Sequence, residues 1–481
     1  MTGQCTRLPA NRCCQGTFTI ETSSKSLSAP QSRRDRTTAV MALRRLGMSR
    51  AVAFSMVSQI WSGMAGPVTM LVIAHWMSAV AQGFYYTFGS VLALQVFVEL
   101  GLATVLVQVA SHEWAFLCRD ASGGIQGDAR AFSRLASLLR FALKWYVLAG
   151  FLVAIGLGLG GSLFFLAKPA QGVAWQAPWL WLCGIAGAAL MMSPFFSIIE
   201  GSNEVASIYS FRLIQGVLNS AVLIVCIISG CGLYSLPAAA LCRLTCGIIF
   251  ITWKHRDFVH QLLAHTAREY ISWSTEVWPF QWRIGVSWLS GYFIFSFFTP
   301  VMFYYHGPKV AGQMGMTLSL TAAIELMAYP WVSTRVPQFG MLIARKRFTE
   351  LDRLFTRLFY LAMGIVTAGA VAIFGGVWTL TSAKASLAER LLPLTPIVLL
   401  LGQRVLNCAV GVMAFYLRAH KKEPLMIPSL ISAVLMGLST WMLGAKYGAG
   451  GAAMGFLLVT LLWSFPSCYY IFRHCREVWH A

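Results

Sequence analysis

Apolar runs of about 20 residues follow one another from Ala51 almost to the C-terminus, separated by short polar connections. Twelve are legible, at 51–75, 84–110, 141–166, 176–199, 209–230, 234–252, 280–305, 310–332, 356–382, 390–417, 425–446 and 449–472. A run of that length crosses the roughly 30 Å hydrocarbon layer as an α-helix, and in lipid only helices or closed barrels satisfy their backbone polar groups. The alternation of a barrel strand is absent. The pattern predicts an all-α polytopic membrane protein with about 12 transmembrane helices.

Composition agrees: 57% of residues are hydrophobic and 11% charged, against about 25% charged in a soluble domain. The net charge of +20 combines 37 Lys and Arg with 17 Asp and Glu, and its distribution matters more than its size. About 30 of the basic residues fall on one side, in the N-terminal tail, the 111–140, 200–212, 253–283 and 333–355 connections, Arg418–Lys422 and the last residues. The other side holds Lys168, Lys309, Lys384, Arg390 and Lys446. The positive-inside rule then places both termini in the cytoplasm. No soluble segment is large enough to read nucleic acid, so the charge reports topology.

Residues 1–50 lack the apolar core of a signal peptide and read as a disordered basic cytoplasmic tail. Ser32-Arg33-Arg34 is followed by Asp35 and Arg36 rather than an apolar run, which excludes a twin-arginine signal. Met41–Arg50 is a compact basic lead into span 1, and Met41 is an alternative start. In the 111–140 loop, Phe132–Arg140 reads as an interfacial helix with Arg134 and Arg140 against anionic headgroups. Connections on the opposite side are short and leave no room for an external domain.

The two halves echo each other. Pro67, His75, Val80-Ala81-Gln82-Gly83 and Glu99 recur in order as Pro300, His306, Val310-Ala311-Gly312-Gln313 and Glu325. Six spans per half is an even number, so the repeats run parallel, and such repeats place a substrate site at their interface. The division is an N-lobe at 51–252, a linker at 253–279, a C-lobe at 280–472 and a tail at 473–481.

Ser78–Gly101, SAVAQGFYYTFGSVLALQVFVELG, resembles the start of bacterial polysaccharide exporters, with a Gly-aromatic pair and an acidic-Leu-Gly close. Tyr329-Pro330-Trp331 through Arg347, followed by Thr349-Glu350-Leu351-Asp352-Arg353-Leu354, resembles that family's link between spans 8 and 9. The family is the multidrug/oligosaccharidyl-lipid/polysaccharide exporter superfamily, in its lipid-linked oligosaccharide flippase branch. The resemblance implies two six-helix lobes around a central cavity lined by spans 1, 2, 7 and 8, working by alternating access. It implies translocation of an undecaprenyl-pyrophosphate-linked oligosaccharide across the bacterial inner membrane for polysaccharide or lipopolysaccharide (O-antigen) biosynthesis. Its partners would be that lipid, the surrounding membrane lipids, and a polysaccharide polymerase or glycosyltransferases. Many members have fourteen helices, and flippases of the peptidoglycan precursor carry more cavity arginines than this chain offers.

A charge inside the bilayer is costly and faces a cavity or a partner. Candidates here are Glu99 in span 2 (with Gln95 and Gln108), Arg243 in span 6, Arg283 in span 7, Glu325 in span 8, and Arg404 in span 10 with Gln403 and Asn407. Span 1 adds Gln59, Ser55, Ser58 and Ser62, and span 7 adds Ser287 and Ser290. In a functional reading Arg404, Arg243, Arg283, Gln59 and Asn407 bind substrate, the arginines gripping a pyrophosphate through bidentate hydrogen bonds. Glu99 or Glu325 exchanges a proton. The structural alternative is a Glu–Arg lock between helices.

Other motifs fail on context. Gly156–Gly161 fits a dinucleotide fingerprint but lies inside an apolar span, as a packing surface. The Gly444/Gly448 and Gly451/Gly455 pairs suit helix contact or the turn between spans 11 and 12. His112-Glu113 lacks the second histidine of a metalloprotease, and no Walker A run exists. The 12 cysteines form no framework and Cys242/Cys246 have no neighbouring ligand, so neither metal nor cofactor is expected. A multidrug exporter would favour an anionic cavity, which Glu99 and Glu325 permit and Arg404 opposes. A membrane-embedded polymerase, ligase or acyltransferase calls for a large external loop or an intramembrane His, yet all nine His lie at span ends, in loops or in the tail. An enzyme is not expected. A scaffold would tolerate Glu99→Gln and Arg404→Ala.

Overall fold

The computed structural model describes residues 50–120, 123–168, 172–266, 268–420 and 422–480. The N-terminal tail, with Met41, lies outside the described residues, as does the side chain of Ser55. Span 1 is Arg50–Trp76 and span 2 is Ala79–Glu99 plus Leu102–Trp114. Spans 3 to 6 are Ala129–Leu166, Gln176–Gly201, Val205–Ile228 and Gly232–Lys254. Span 7 is Trp273–Phe295 plus Phe298–His306, and span 8 is Pro308–Ser333. Spans 9 and 10 are Phe348–Ser382 and Leu394–Ala419. The run Met426–His480 breaks at Gly448 (φ 64°, ψ −152°), a conformation glycine adopts freely, giving spans 11 and 12. The result is an all-α, multi-pass membrane protein of about twelve helices; its departure is a small hairpin, Leu117–Arg119 with Ile125–Gly127.

Local chemistry sets the breaks. The Ser78 hydroxyl accepts from the Ala81 amide and starts span 2, and Asp128 accepts from Arg130 to start span 3. Span 2 bends by 45° where Leu100 (φ 48°) and Gly101 (φ 67°) are left-handed. Gly101 packs on Ile284 and Gly285 on Leu100, holding Leu100 in a conformation that costs about 1–3 kcal/mol. Span 7 bends by 43° just ahead of Pro300. Within span 3 a π-helical segment, Leu152–Leu157, precedes Gly158 and Gly161; Gly161 admits the Trp179 ring, whose Nε1 donates to the Gly158 carbonyl at 3.2 Å.

Helix pairing repeats between halves. Span 1 packs on 5, 5 on 6, 3 on 4, 4 on 6, 2 on 3 and 2 on 4; correspondingly 7 packs on 11, 11 on 12, 9 on 10, 10 on 12, 8 on 9 and 8 on 10. Between the halves span 2 packs on span 8, span 1 on span 8 and span 2 on span 7. Two six-helix bundles thus meet through spans 1, 2, 7 and 8.

The tightest of these contacts joins the two copies of the repeated motif. A Cβ on Gly83 would stand 1.9 Å from the Pro308 carbonyl oxygen, one on Gly312 2.8 Å from the Gly83 nitrogen, and one on Gly315 2.4 Å from the Tyr86 Cβ. Without a hydrophobic force between helices in lipid, such small-residue contact supplies the packing. Buried Gln82 adds polar grip, donating through Nε2 to the carbonyls of Gly312 (3.0 Å) and Arg390 (3.1 Å).

At the opposite end, which carries the C-terminus, the linker is strapped to span 3. Arg130 pairs with Glu269 at 2.6 Å, and Ser133 accepts from the amides of Arg268 and Glu269. Ser137 accepts from Ile271, and Arg140 donates to the carbonyls of Leu263 and His265. Arg134 bridges Glu113 of span 2 (2.9 Å) and Glu276 of span 7 (2.5 Å). Phe132–Arg140 is therefore the first part of span 3, not an interfacial helix. Leu135, Leu138 and Leu139 are buried in the N-lobe, and Arg134 and Arg140 serve protein partners rather than headgroups. The physical reason is that carboxylates and open carbonyls of the linker lie within direct reach.

Gly83→Ala should cost about 1–3 kcal/mol by overpacking, seen as a lower melting temperature of the purified protein, whereas Gly89→Ala, which meets nothing within 4 Å, should not lower it. A second expectation concerns His255, which follows span 6 at 2% exposure, its pKa lowered to about 4 by burial and by Arg119 and Lys254. The unfolded imidazole takes its proton near 6.5 and the folded one only near 4. Stability should fall as pH drops through that window, and His255→Gln should flatten that part of a melting-temperature profile.

Candidate functional site

Spans 8 and 10 bring Glu325, Arg404 and Asn407 together inside the C-lobe. Arg404 Nη1 donates to Glu325 Oε2 at 3.3 Å, and Asn407 Nδ2 donates to Oε1 at 2.8 Å. The side chains of Arg404 and Glu325 are 5% and 10% exposed. Asn407 stands one helical turn after Gln403 and shares the face of Arg404, so both donors converge on one carboxylate. This is the lock between helices, with each charge answered locally.

Glu99 and Arg243 lie in the other lobe. Spans 2, 4, 5 and 6 enclose a cavity of about 400 Å³ whose lining includes Gln95, Glu99, Ser193, Ser197, Arg212, Gln215 and Arg243. Glu99, in the last turn before the bend of span 2, accepts from the Tyr146 hydroxyl of span 3 at 3.0 Å. Arg212 pairs with Glu200 at 2.7 Å. The main-chain carbonyl of Arg243 accepts from Gln215 Nε2 at 2.9 Å.

A third place joins the lobes. Spans 1, 2, 5 and 8 frame a cavity of about 330 Å³ lined by Ser62, Thr69, Ser220, Ser319, Tyr85 and Tyr86 among small and apolar residues. Its lining carries no charge. Gly63, Gly66 and Pro67 of span 1 leave the space, and the Gly83–Gly312 crossing lies next to Tyr85 and Tyr86.

Among the described residues the expected ionic groups do not meet in one chamber between the lobes. Arg404, Asn407 and Glu325 are gathered within the C-lobe, Glu99 and Arg243 within the N-lobe, and neither group lines the inter-lobe cavity. Arg283 is exposed near the start of span 7 with its guanidinium 5.7 Å from the Trp282 ring centre. Gln59 lies three residues before Ser62 on span 1, and Ser287 lies in a groove between spans 2 and 7. The sequence reading did not single out Thr69, Tyr85, Tyr86, Ser220, Ser319 or Arg212. The available signal was the Gly83-Phe84-Tyr85-Tyr86 run in the repeated motif.

The fold has solved counterparts. The inward-facing conformation of a multidrug resistance MATE family transporter of the MOP superfamily matches with a TM-score of 0.55 at 15% identity, over 85% of this chain and 99% of its own. The lipid II flippase MurJ in an inward closed conformation matches at 0.59 and 12% identity, over 89% and 92%. The MATE multidrug transporter DinF-BH, in a ligand complex, matches at 0.58 and 13% identity, over 90% and 96%. No protein-family model and no curated protein matches the sequence. The structural neighbours are thus MATE transporters, the first of them of the MOP superfamily, and a lipid II flippase, and the chain shares their fold.

Arg404→Leu should strand the buried Glu325 carboxylate and cost about 3–5 kcal/mol, read as loss of monodisperse folded protein in detergent. Arg404→Leu combined with Glu325→Leu should recover most of it, since both charges go together.

Proposed function

We propose that this protein is a flippase that carries an undecaprenyl-pyrophosphate-linked oligosaccharide across a bacterial inner membrane by alternating access, with both termini cytoplasmic. The observation that supports it is the neutral hydroxyl- and tyrosine-lined cavity between the lobes. Sugar hydroxyls pair with Ser and Thr hydroxyls, and the apolar face of a sugar ring stacks on tyrosine, so a glycan suits this lining. The lining holds neither a carboxylate for a cationic drug nor an arginine for a pyrophosphate, so the part of the cargo it fits is the glycan.

With the termini cytoplasmic, the Gly83–Gly312 crossing lies toward the periplasmic end of spans 2 and 8. Release to the far side requires spans 2 and 8 to part, breaking the two Gln82 bonds and the glycine contact. Each such bond contributes about 0.5–1.5 kcal/mol, an amount that binding and ion coupling can offset. Glu325 is neutralised by Arg404, which leaves Glu99 as the coupling carboxylate. The Arg404–Glu325–Asn407 cluster keeps the C-lobe rigid while the lobes rock. The chain itself carries no catalytic role; a polymerase or glycosyltransferases act before and after it.

Tyr85→Ala and Ser319→Leu should each lower surface display of the glycan by roughly tenfold, about 1.4 kcal/mol in productive binding, in a strain dependent on this gene, with protein level in the membrane unchanged. Unaltered display together with lost resistance to cationic dyes would favour a drug exporter instead.

A further inference from the structure

Arg243 stands near the middle of span 6 on the face 240, 243, 244 and 247 that lines the N-lobe cavity. Among the described residues its guanidinium has no ion-pair or hydrogen-bond partner. The contrast is close at hand, because Arg212 in the same lining is answered by Glu200 and Arg404 in the other lobe by Glu325. Arg243 is exposed where span 6 borders the cavity, and a guanidinium left without a partner within a membrane span is best answered by an anion.

We infer that the N-lobe cavity is a binding site for a phosphate-class anion, held by Arg243. Donors for several oxygens surround the space: the guanidiniums of Arg243 and Arg212, the amides of Gln95 and Gln215, and the Ser193 hydroxyl. They come from spans 2, 4, 5 and 6 and border one cavity, and guanidinium and amide N–H groups suit the oxygens of a phosphate. The volume of about 400 Å³ falls within the range of small-ligand sites. The anion is either the phosphate of a lipid headgroup or a soluble phosphate or diphosphate.

Glu99 sets the condition for binding. It is the one carboxylate in the lining, and its ionised form repels an anion in a site of low dielectric. The other titratable or charged groups facing it are Tyr146 from span 3, Arg212 from span 5 and Arg243 from span 6; span 4 presents the hydroxyls of Ser193 and Ser197. Protonating Glu99 raises the net charge of the lining by one and admits the anion. Anion and proton therefore bind together in the N-lobe, apart from the cavity between the lobes. The site shares Glu99 with the flippase reading but not its cavity, and its test, anion binding, is read separately from glycan transport.

The test uses the purified full chain with two probes, inorganic pyrophosphate in detergent by calorimetry and phosphatidylglycerol retention from nanodiscs by native mass spectrometry, each near pH 6 and pH 8. Arg243→Gln should weaken the responding probe by roughly tenfold or more at the lower pH. Glu99→Gln should strengthen binding at the higher pH by roughly tenfold, a gain that misfolding cannot mimic. Response of pyrophosphate identifies a soluble anion or a diphosphate head, and response of phosphatidylglycerol alone identifies a phospholipid headgroup; both support the site. Binding of both probes unchanged by Arg243→Gln, or unchanged at the higher pH by Glu99→Gln, overturns it.

Discussion

Two helix backbones in direct contact hold the two bundles together. Spans 2 and 8 cross at Gly83 and Gly312, where no side chain separates them, Gly315 admits the Tyr86 side chain, and Gln82 reaches across to two carbonyls. In lipid, apolar side chains gain nothing by leaving one hydrocarbon environment for another, so close packing and hydrogen bonds must join the lobes. The crossing also fixes the geometry beneath it. Tyr85 and Tyr86 follow immediately on span 2, and Ser319 follows on span 8, so the crossing and the cavity wall are made by the same two helices. A movement that parts the crossing necessarily changes the cavity.

Charge is distributed around that arrangement rather than within it. The C-lobe spends its intramembrane charges on each other, through Arg404, Glu325 and Asn407. The N-lobe keeps Glu99 and Arg243 apart in a polar cavity of their own. The far end uses Arg134 to tie spans 2 and 7 while the linker runs along span 3. The two lobes, alike in helix pairing, therefore differ in chemistry: one pairs its intramembrane charges, the other sets them around a cavity.

Much of this was legible in the chain. Long apolar runs defined the spans because a helix in lipid has no other way to satisfy its backbone, and Gly448 marked the turn between the last two. The Val-Ala-Gly repeat was visible too, yet that its two copies touch follows from packing, which periodicity does not encode. Glu325 and Arg404 stood out as charges in apolar surroundings, but they are 79 residues apart and their meeting depends on how spans 8 and 10 rotate. Phe132–Arg140 misled because a helix with apolar and basic faces looks the same whether its apolar face lies on lipid or on a protein core; Leu135, Leu138 and Leu139 chose the core. The inter-lobe lining escaped notice for the opposite reason. Ser, Thr and Tyr scattered through apolar spans carry no charge to mark them, and only the fold gathers Thr69, Ser220 and Ser319 around Tyr85 and Tyr86.

The central claim is that a neutral cavity between the lobes passes a glycan on a lipid carrier. Proteoliposomes holding a fluorescent, short-chain polyprenyl-diphosphate oligosaccharide measure this directly, by the fraction of label that becomes accessible to an external glycosidase with time. The account predicts that the protein speeds exposure of this lipid well beyond protein-free vesicles while leaving labelled phosphatidylcholine unmoved. Exposure no faster than in empty vesicles, with a cationic dye transported instead, would contradict it.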